Sequence, residues 1–160
     1  MKIKKGDKFP DAQVFVLDKD PREVSIKQII GDDKVILFGI PGAFTPTCSA
    51  KHLPGFIKMR NELKEKNIKK VICISINDPF VMDAWGKAHD AGNKILMVSD
   101  SRGDFTKNIG AEINLSTRGL GIRSNRYTML VEKGEIIKIS EEETARKCES
   151  TAAENFLKEI

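Results

Sequence analysis

Cys48 closes the run Pro41-Gly42-Ala43-Phe44-Thr45-Pro46-Thr47-Cys48, whose residue types suit nucleophilic chemistry at sulfur. A thiol attacks as its thiolate, so a working cysteine needs surroundings that favour the charged form. The run follows an apolar stretch and precedes a helical one, which puts Cys48 in the first turn of a helix. There, unpaired N–H groups and the positive end of the helix dipole favour thiolate over thiol. Thr45 can place its hydroxyl beside the sulfur, donating to it or to an oxygen bound there. Pro41 would fix the turn and shield the pocket from water. A reaction that expels hydroxide or alkoxide also needs a cation. None lies in the run, so a distant arginine must supply it.

Two further cysteines compete for a part in such a cycle. Cys73 alternates with Ile72 and Ile74 in an apolar run, the setting of a buried small hydrophobe. Cys148 lies in the polar stretch Thr144-Ala145-Arg146-Lys147-Cys148-Glu149, expected to be mobile. His52, four residues after Cys48, could pair with it on one helix face, as in hydrolytic Cys–His sites. No Gly-rich oxyanion element or third orienting residue is evident, so His52 reads as a supporting or surface residue. A metal site from Cys48, His52 and His89 lacks tight spacing and a fourth ligand, and no metal or cofactor is expected. The absence of Cys-x-x-Cys weighs against a thioredoxin-type disulfide oxidoreductase.

The elements that must position these residues follow from the apolar pattern. Val14 to Leu17, Lys34 to Ile40 and Val71 to Ile76 read as strands, the last two as continuous apolar runs of buried strands. A helix over about Pro54 to Lys66 lies between those two, giving a βαβ unit and a parallel pair. Pro79 to Ala91 reads as a helix capped by Asp78, with Pro79 at its first position. Ile95 to Val98 is a short strand and Asp104 to Ile109 a short helix. Tyr127 to Glu132 and Glu135 to Ile139, joined by Lys133-Gly134, form a β-hairpin. A helix over about Ala152 to Lys158 ends the chain. The fold class is α/β, a mixed sheet with helices on both faces.

The chain's 160 residues favour one domain, spanning 1–160. Its 27 basic and 23 acidic side chains are interleaved, a solvated surface rather than a nucleic-acid footprint. Lys64-Glu65-Lys66 and Glu141-Glu142-Glu143 are the densest runs, and both are too short to act as tails. No stretch approaches the roughly 20 apolar residues of a membrane span, and the start of the chain lacks the apolar core of a secretory signal. Three cysteines argue against a disulfide framework and for a reducing compartment, so the expected location is cytoplasmic.

Pro41, Thr45 and Cys48 match the Pro-x-x-x-Thr-x-x-Cys signature of peroxiredoxins. The longer run through Ser49, with His52-Leu53-Pro54-Gly55-Phe56, resembles the type II or type 5 subfamily. Ile76-Asn77-Asp78-Pro79-Phe80-Val81, Trp85-Gly86-Lys87-Ala88-His89 and Asn125-Arg126-Tyr127-Thr128-Met129 extend the match, which runs essentially end to end. The resemblance implies a thioredoxin-like fold and a thiol-dependent peroxidase acting on hydrogen peroxide and organic hydroperoxides. In that role Cys48 becomes a sulfenic acid and Arg126 is the cation that holds the thiolate and polarises the peroxide bond, with Thr45 also catalytic and Pro41 binding substrate. It implies recycling by glutathione, glutaredoxin or thioredoxin, and a homodimer with the Phe80 to Trp85 segment near the contact. The subfamily's resolving cysteine falls near Cys148, but alignment of the last helix places Ser150 at that position. Cys148 therefore stays a candidate beside an external thiol. The alternative from another class is a non-catalytic thioredoxin-like redox sensor or chaperone that uses Cys48 oxidation as a signal.

Overall fold

The computed structural model describes residues 1–160. The chain opens with strand β1 (Gln13–Asp18), turns into the polar strand β2 (Asp20–Ser25), and enters helix α1 (Ile26–Ile30), capped by the Ser25 hydroxyl. Strand β3 (Val35–Gly39) is buried at every position, as its unbroken apolar sequence requires. After the Pro41–Cys48 run comes a π-helical turn (Cys48–His52), followed by α2 (Leu53–Lys58) and α3 (Arg60–Glu65). Strand β4 (Lys70–Ser75) then pairs with β3 in parallel, as the βαβ reading demands.

Helix α4 (Pro79–Ala88) starts at Pro79, with the Asp78 carboxylate accepting from the Val81 N–H at 3.0 Å. Strand β5 (Leu96–Ser99) and helix α5 (Asp104–Asn108) follow, then the small hairpin of β6 (Glu112–Asn114) and β7 (Ile122–Ser124). Strands β8 (Tyr127–Glu132) and β9 (Glu135–Glu141) form the expected hairpin. Lys133 and Gly134 both take positive φ at its turn. Helix α6 (Ala153–Leu157) ends the chain.

Seven strands make one mixed sheet in the order β2-β1-β5-β4-β3-β8-β9. Only the central β5-β4-β3 pairings are parallel. Side-chain alternation splits the core in two. Ile36, Phe38 and Cys73 face the layer of α2, α3, α4 and α6, where Phe56, Leu63, Trp85 and Phe156 pack. Val35, Leu37, Ile72 and Ile74 face α1 and α5 with Ile26, Ile30 and Phe105.

Two helix bounds need correction. The helix expected from Pro54 begins earlier and is interrupted at Met59. The helix expected to reach Ala91 ends at Ala88. Trp85 is wholly buried, as the default core reading for an apolar residue at helical spacing has it, and Phe80 is the exposed aromatic of α4. The polar strand β2 and the three-residue strands β6 and β7 carry no apolar alternation and left no signal.

The sheet register sets the site. Gly39 of β3 lies opposite Tyr127 of β8, so Arg126 falls beside the carboxyl end of β3, where the Cys48 loop departs. A Cβ at Gly39 would lie 2.2 Å from the Tyr127 ring, so only glycine lets the two strands close there.

Candidate active site

The loop between β3 and the π turn is held by polar contacts from elsewhere in the fold. Asn77 Oδ1 accepts from the Ala43 N–H at 2.8 Å and from the Ser75 hydroxyl at 2.7 Å. Arg123 donates to the carbonyls of Leu120 and Pro41. Phe44 sits at φ 63°, a left-handed conformation strained for a bulky side chain, at the apex of the loop. Helical bonding begins when the Ser49 N–H donates to the Thr45 carbonyl, so Cys48 does fall in a first turn. The turn then widens: the Leu53 N–H reaches back to the Cys48 carbonyl, a π bulge of the kind common at functional sites.

That bulge turns Cys48 and His52 inward, and both are fully buried. The guanidinium of Arg126 joins them. Its Nη2 lies 3.1 Å from the Cys48 sulfur and also donates to the Ala145 carbonyl at 3.0 Å. Its Nη1 lies 3.0 Å from His52 Nδ1. A guanidinium has only hydrogens to offer, so Nδ1 accepts and the imidazole proton resides on Nε2. Nε2 lies 3.2 Å from both the Thr151 carbonyl and the Thr128 hydroxyl. Burial, reinforced by the charge of Arg126, holds the His52 pKa well below the ordinary imidazole range, which fits a neutral ring.

A pocket of about 230 Å³ opens over this group, lined among others by Pro41, Thr45, Thr47, Arg118, Arg126 and Arg146. No acidic side chain lines it. Cys48 is buried and does not line it, but its sulfur lies 3.1 Å from Arg126, which does. Pro41 is buried at the edge, as expected of a shielding residue. Thr45 departs from expectation: its hydroxyl donates to the Gly42 carbonyl at 2.6 Å, because the tight loop brings that oxygen within reach. Its hydrogen is thereby committed, and toward an incoming molecule Thr45 offers lone pairs.

The other thiols differ from Cys48. No disulfide is present. Cys73 is wholly buried, and burial pushes its pKa well up, with the neighbouring Cys48 adding to the shift. Cys148 is not on an open, mobile stretch. It is 3% exposed, and burial raises its pKa although the charge of Arg126 works the other way. Its segment is tied down by Ala145 on Arg126 and by the Thr47 hydroxyl on the Arg146 carbonyl. His52 is a buried partner of Arg126, not a surface residue, while His89 packs edge-on against Trp85. Asn77, Arg123, Thr128, Glu142 and Thr151 also shape the site. Of these, only Asn77 and Thr128 fell within the segments that carried the resemblance.

Residues 4–157 match the Redoxin family profile. Over 157 residues the chain is 42% identical to peroxiredoxin-2D of Arabidopsis thaliana, covering 97% of this chain and 96% of the relative. The chain belongs to the peroxiredoxins of the redoxin family. Among solved structures, the peroxiredoxin of Vibrio vulnificus described as reduced Prx3 in complex with hydrogen peroxide superposes with a TM-score of 0.92. That pair shares 37% identity over 98% of each chain. Peroxiredoxin 5 of Alvinella pompejana is also 37% identical, with a TM-score of 0.80 over 88% of this chain and 90% of that one. The fold is thus the thioredoxin-like one of peroxiredoxins, and the activity is thiol-dependent reduction of hydroperoxides.

Proposed function

We propose that Cys48 is the peroxidatic nucleophile and that Arg126 is its electrostatic partner. The observation that carries this reading is the 3.1 Å approach of Arg126 Nη2 to the Cys48 sulfur in a buried site. A guanidinium at that distance favours anionic sulfur and is placed to meet the charge that develops on peroxide oxygen. Sulfur attacks one peroxide oxygen, the O–O bond breaks, and the departing alkoxide or hydroxide takes up a proton. Cys48 is left as a sulfenic acid. Thr45 accepts from the hydroperoxide O–H through the lone pairs its Gly42 contact leaves free, and Pro41 walls the pocket. His52 is a positioning residue that holds Arg126.

The sulfenic acid condenses with an external thiol, releasing water, and a second thiol then frees Cys48 as a disulfide of the reductant departs. Arg118 and Arg146 line a pocket that holds no carboxylate, which favours an acidic thiol, and glutathione fits that description. The second reading, resolution by Cys148, draws support from its segment's contact with Arg126, but burial and a raised pKa weigh against attack from this conformation. We further assign a homodimer, on the ground that Phe44 and Phe80 are each 57% exposed. A single domain spans the chain. A cytoplasmic setting agrees with three unpaired thiols; no helix is long and apolar enough to cross a membrane.

Steady-state consumption of hydrogen peroxide with a thiol reductant tests the reading. The wild-type protein turns over repeatedly and C48S does not. A redox sensor would instead consume about one equivalent and stop.

A further inference from the structure

Glu142 follows β9 in a run of three glutamates, yet it is only 6% exposed. Its Oε1 accepts four hydrogen bonds from a single short segment. The donors are the N–H groups of Glu149 at 2.7 Å and Thr151 at 2.9 Å, and the hydroxyls of Thr151 at 2.9 Å and Ser150 at 3.3 Å. No cation pairs with it. Burying a carboxylate without a counter-ion is costly unless its hydrogen bonds hold something in place.

What they hold leads to the active centre. The Glu142 backbone is pinned to the start of β8, its N–H donating to the Arg126 carbonyl at 3.0 Å and its carbonyl accepting from Asn125 Nδ2 at 2.9 Å. The Thr151 carbonyl, fixed through that residue's N–H and hydroxyl, accepts from the Thr128 hydroxyl at 2.8 Å and faces His52 Nε2. His52 in turn accepts from Arg126 Nη1, and Arg126 Nη2 reaches Cys48. The same span supplies the Ala145 carbonyl to Nη2. The segment Glu142–Thr151 therefore meets the guanidinium twice, once directly and once through His52.

We propose that Glu142 is a positioning residue for peroxide reduction, clasping residues 149–151 so that Thr151 and His52 hold Arg126 against the Cys48 sulfur. The inference rests on the reading that Cys48 and Arg126 carry the chemistry. The clasp also keeps Cys148 covered, since Cys148 immediately precedes the clasped residues and contacts the Thr151 hydroxyl at 3.8 Å.

The test compares E142A, E142Q and R126Q in the full chain. Two readouts are followed: the rate of Cys48 oxidation by hydrogen peroxide and the reactivity of Cys148 toward a thiol reagent. E142A slows oxidation by about tenfold or more, the scale of a misplaced catalytic group. It also opens Cys148 to the reagent. E142Q, which keeps a carbonyl acceptor in the same place, recovers most of the rate. T151V removes one of the four donors with little change of shape and gives a smaller loss of the same sign, so the test survives if E142A does not fold. Wild-type oxidation rate in E142A or T151V, with only thermal stability lowered, would overturn the proposal. If R126Q also oxidises at the wild-type rate, the underlying reading fails; if R126Q is slow while E142A is not, this inference alone fails.

Discussion

Arg126 and Cys48 stand 78 positions apart in the chain, and their side chains meet at 3.1 Å inside the protein. The contact follows from strand register. Gly39 opposite Tyr127 carries Arg126 to the end of β3, and the π turn swings Cys48 toward it. On the proposed reading, catalysis by this pair is chiefly electrostatic, so it depends on a fixed cation more than on any proton-transfer group.

Replacing the guanidinium therefore costs rate before it costs structure. R126Q is expected to lower kcat/KM for hydrogen peroxide by about 100- to 1000-fold, the range for losing one preorganised electrostatic donor. R126K recovers only part of this, because a single ammonium nitrogen does not reproduce the two-nitrogen fork whose Nη1 meets His52 and whose Nη2 meets sulfur and the Ala145 carbonyl. Stopped-flow oxidation kinetics on folded variants give the answer.

Thr45 separates two kinds of hydroxyl function. T45S keeps the bond to the Gly42 carbonyl and the free lone pairs and retains most activity. T45V loses both and falls about 100-fold in kcat/KM, the scale of a reacting group held out of place. Equal activity in the two variants would remove Thr45 from the mechanism.

His52 makes stability depend on pH in a defined direction. Burial and then Arg126 depress its folded pKa, so the folded state excludes a proton that the unfolded chain binds below about 6.5. The unfolded state thus gains protons as pH falls, and stability present above that value is lost toward acid, by at most about 1.4 kcal/mol per pH unit from this residue. Thermal melts between neutrality and mild acid should show a Tm that declines with falling pH. H52Q, with no ring to protonate, should show a shallower decline.

Arg118 and Arg146 bear on the reductant. The double variant R118Q/R146Q is expected to raise KM for glutathione several-fold while leaving KM for a neutral thiol unchanged. Added salt should weaken glutathione use by the wild-type protein in the same way, because exposed charges are screened. Identical KM changes for both thiols would rule out charge recognition in the pocket.

The candidate nucleophile and its general place were legible because both depend on local pattern. An apolar run ends, a Pro-rich loop follows, and a helix begins; that order alone puts Cys48 at a strand's carboxyl end. The hairpin was readable for the same reason, through the Lys133-Gly134 turn between alternating strands. What was hidden depends on tertiary contact. Glu142 sits among glutamates and looks solvated until residues 149–151 close on its carboxylate. His52 looks like a free helix residue until the π bulge turns it inward, and Cys148 looks mobile until its segment is seen to be fastened. The Thr45 hydroxyl was assigned the wrong partner, because nothing in residue spacing fixes where the Gly42 carbonyl points.

Intact-mass analysis after one equivalent of hydrogen peroxide, with no reductant present, tests the identity of the nucleophile most directly. Wild-type protein is expected to gain the mass of one oxygen, located by peptide mapping at Cys48, or to lose two hydrogens in a disulfide that includes Cys48. C48S should be unchanged under the same exposure. Oxygen uptake by C48S at the wild-type rate, or a first oxidation mapped to Cys73 or Cys148, would contradict the account.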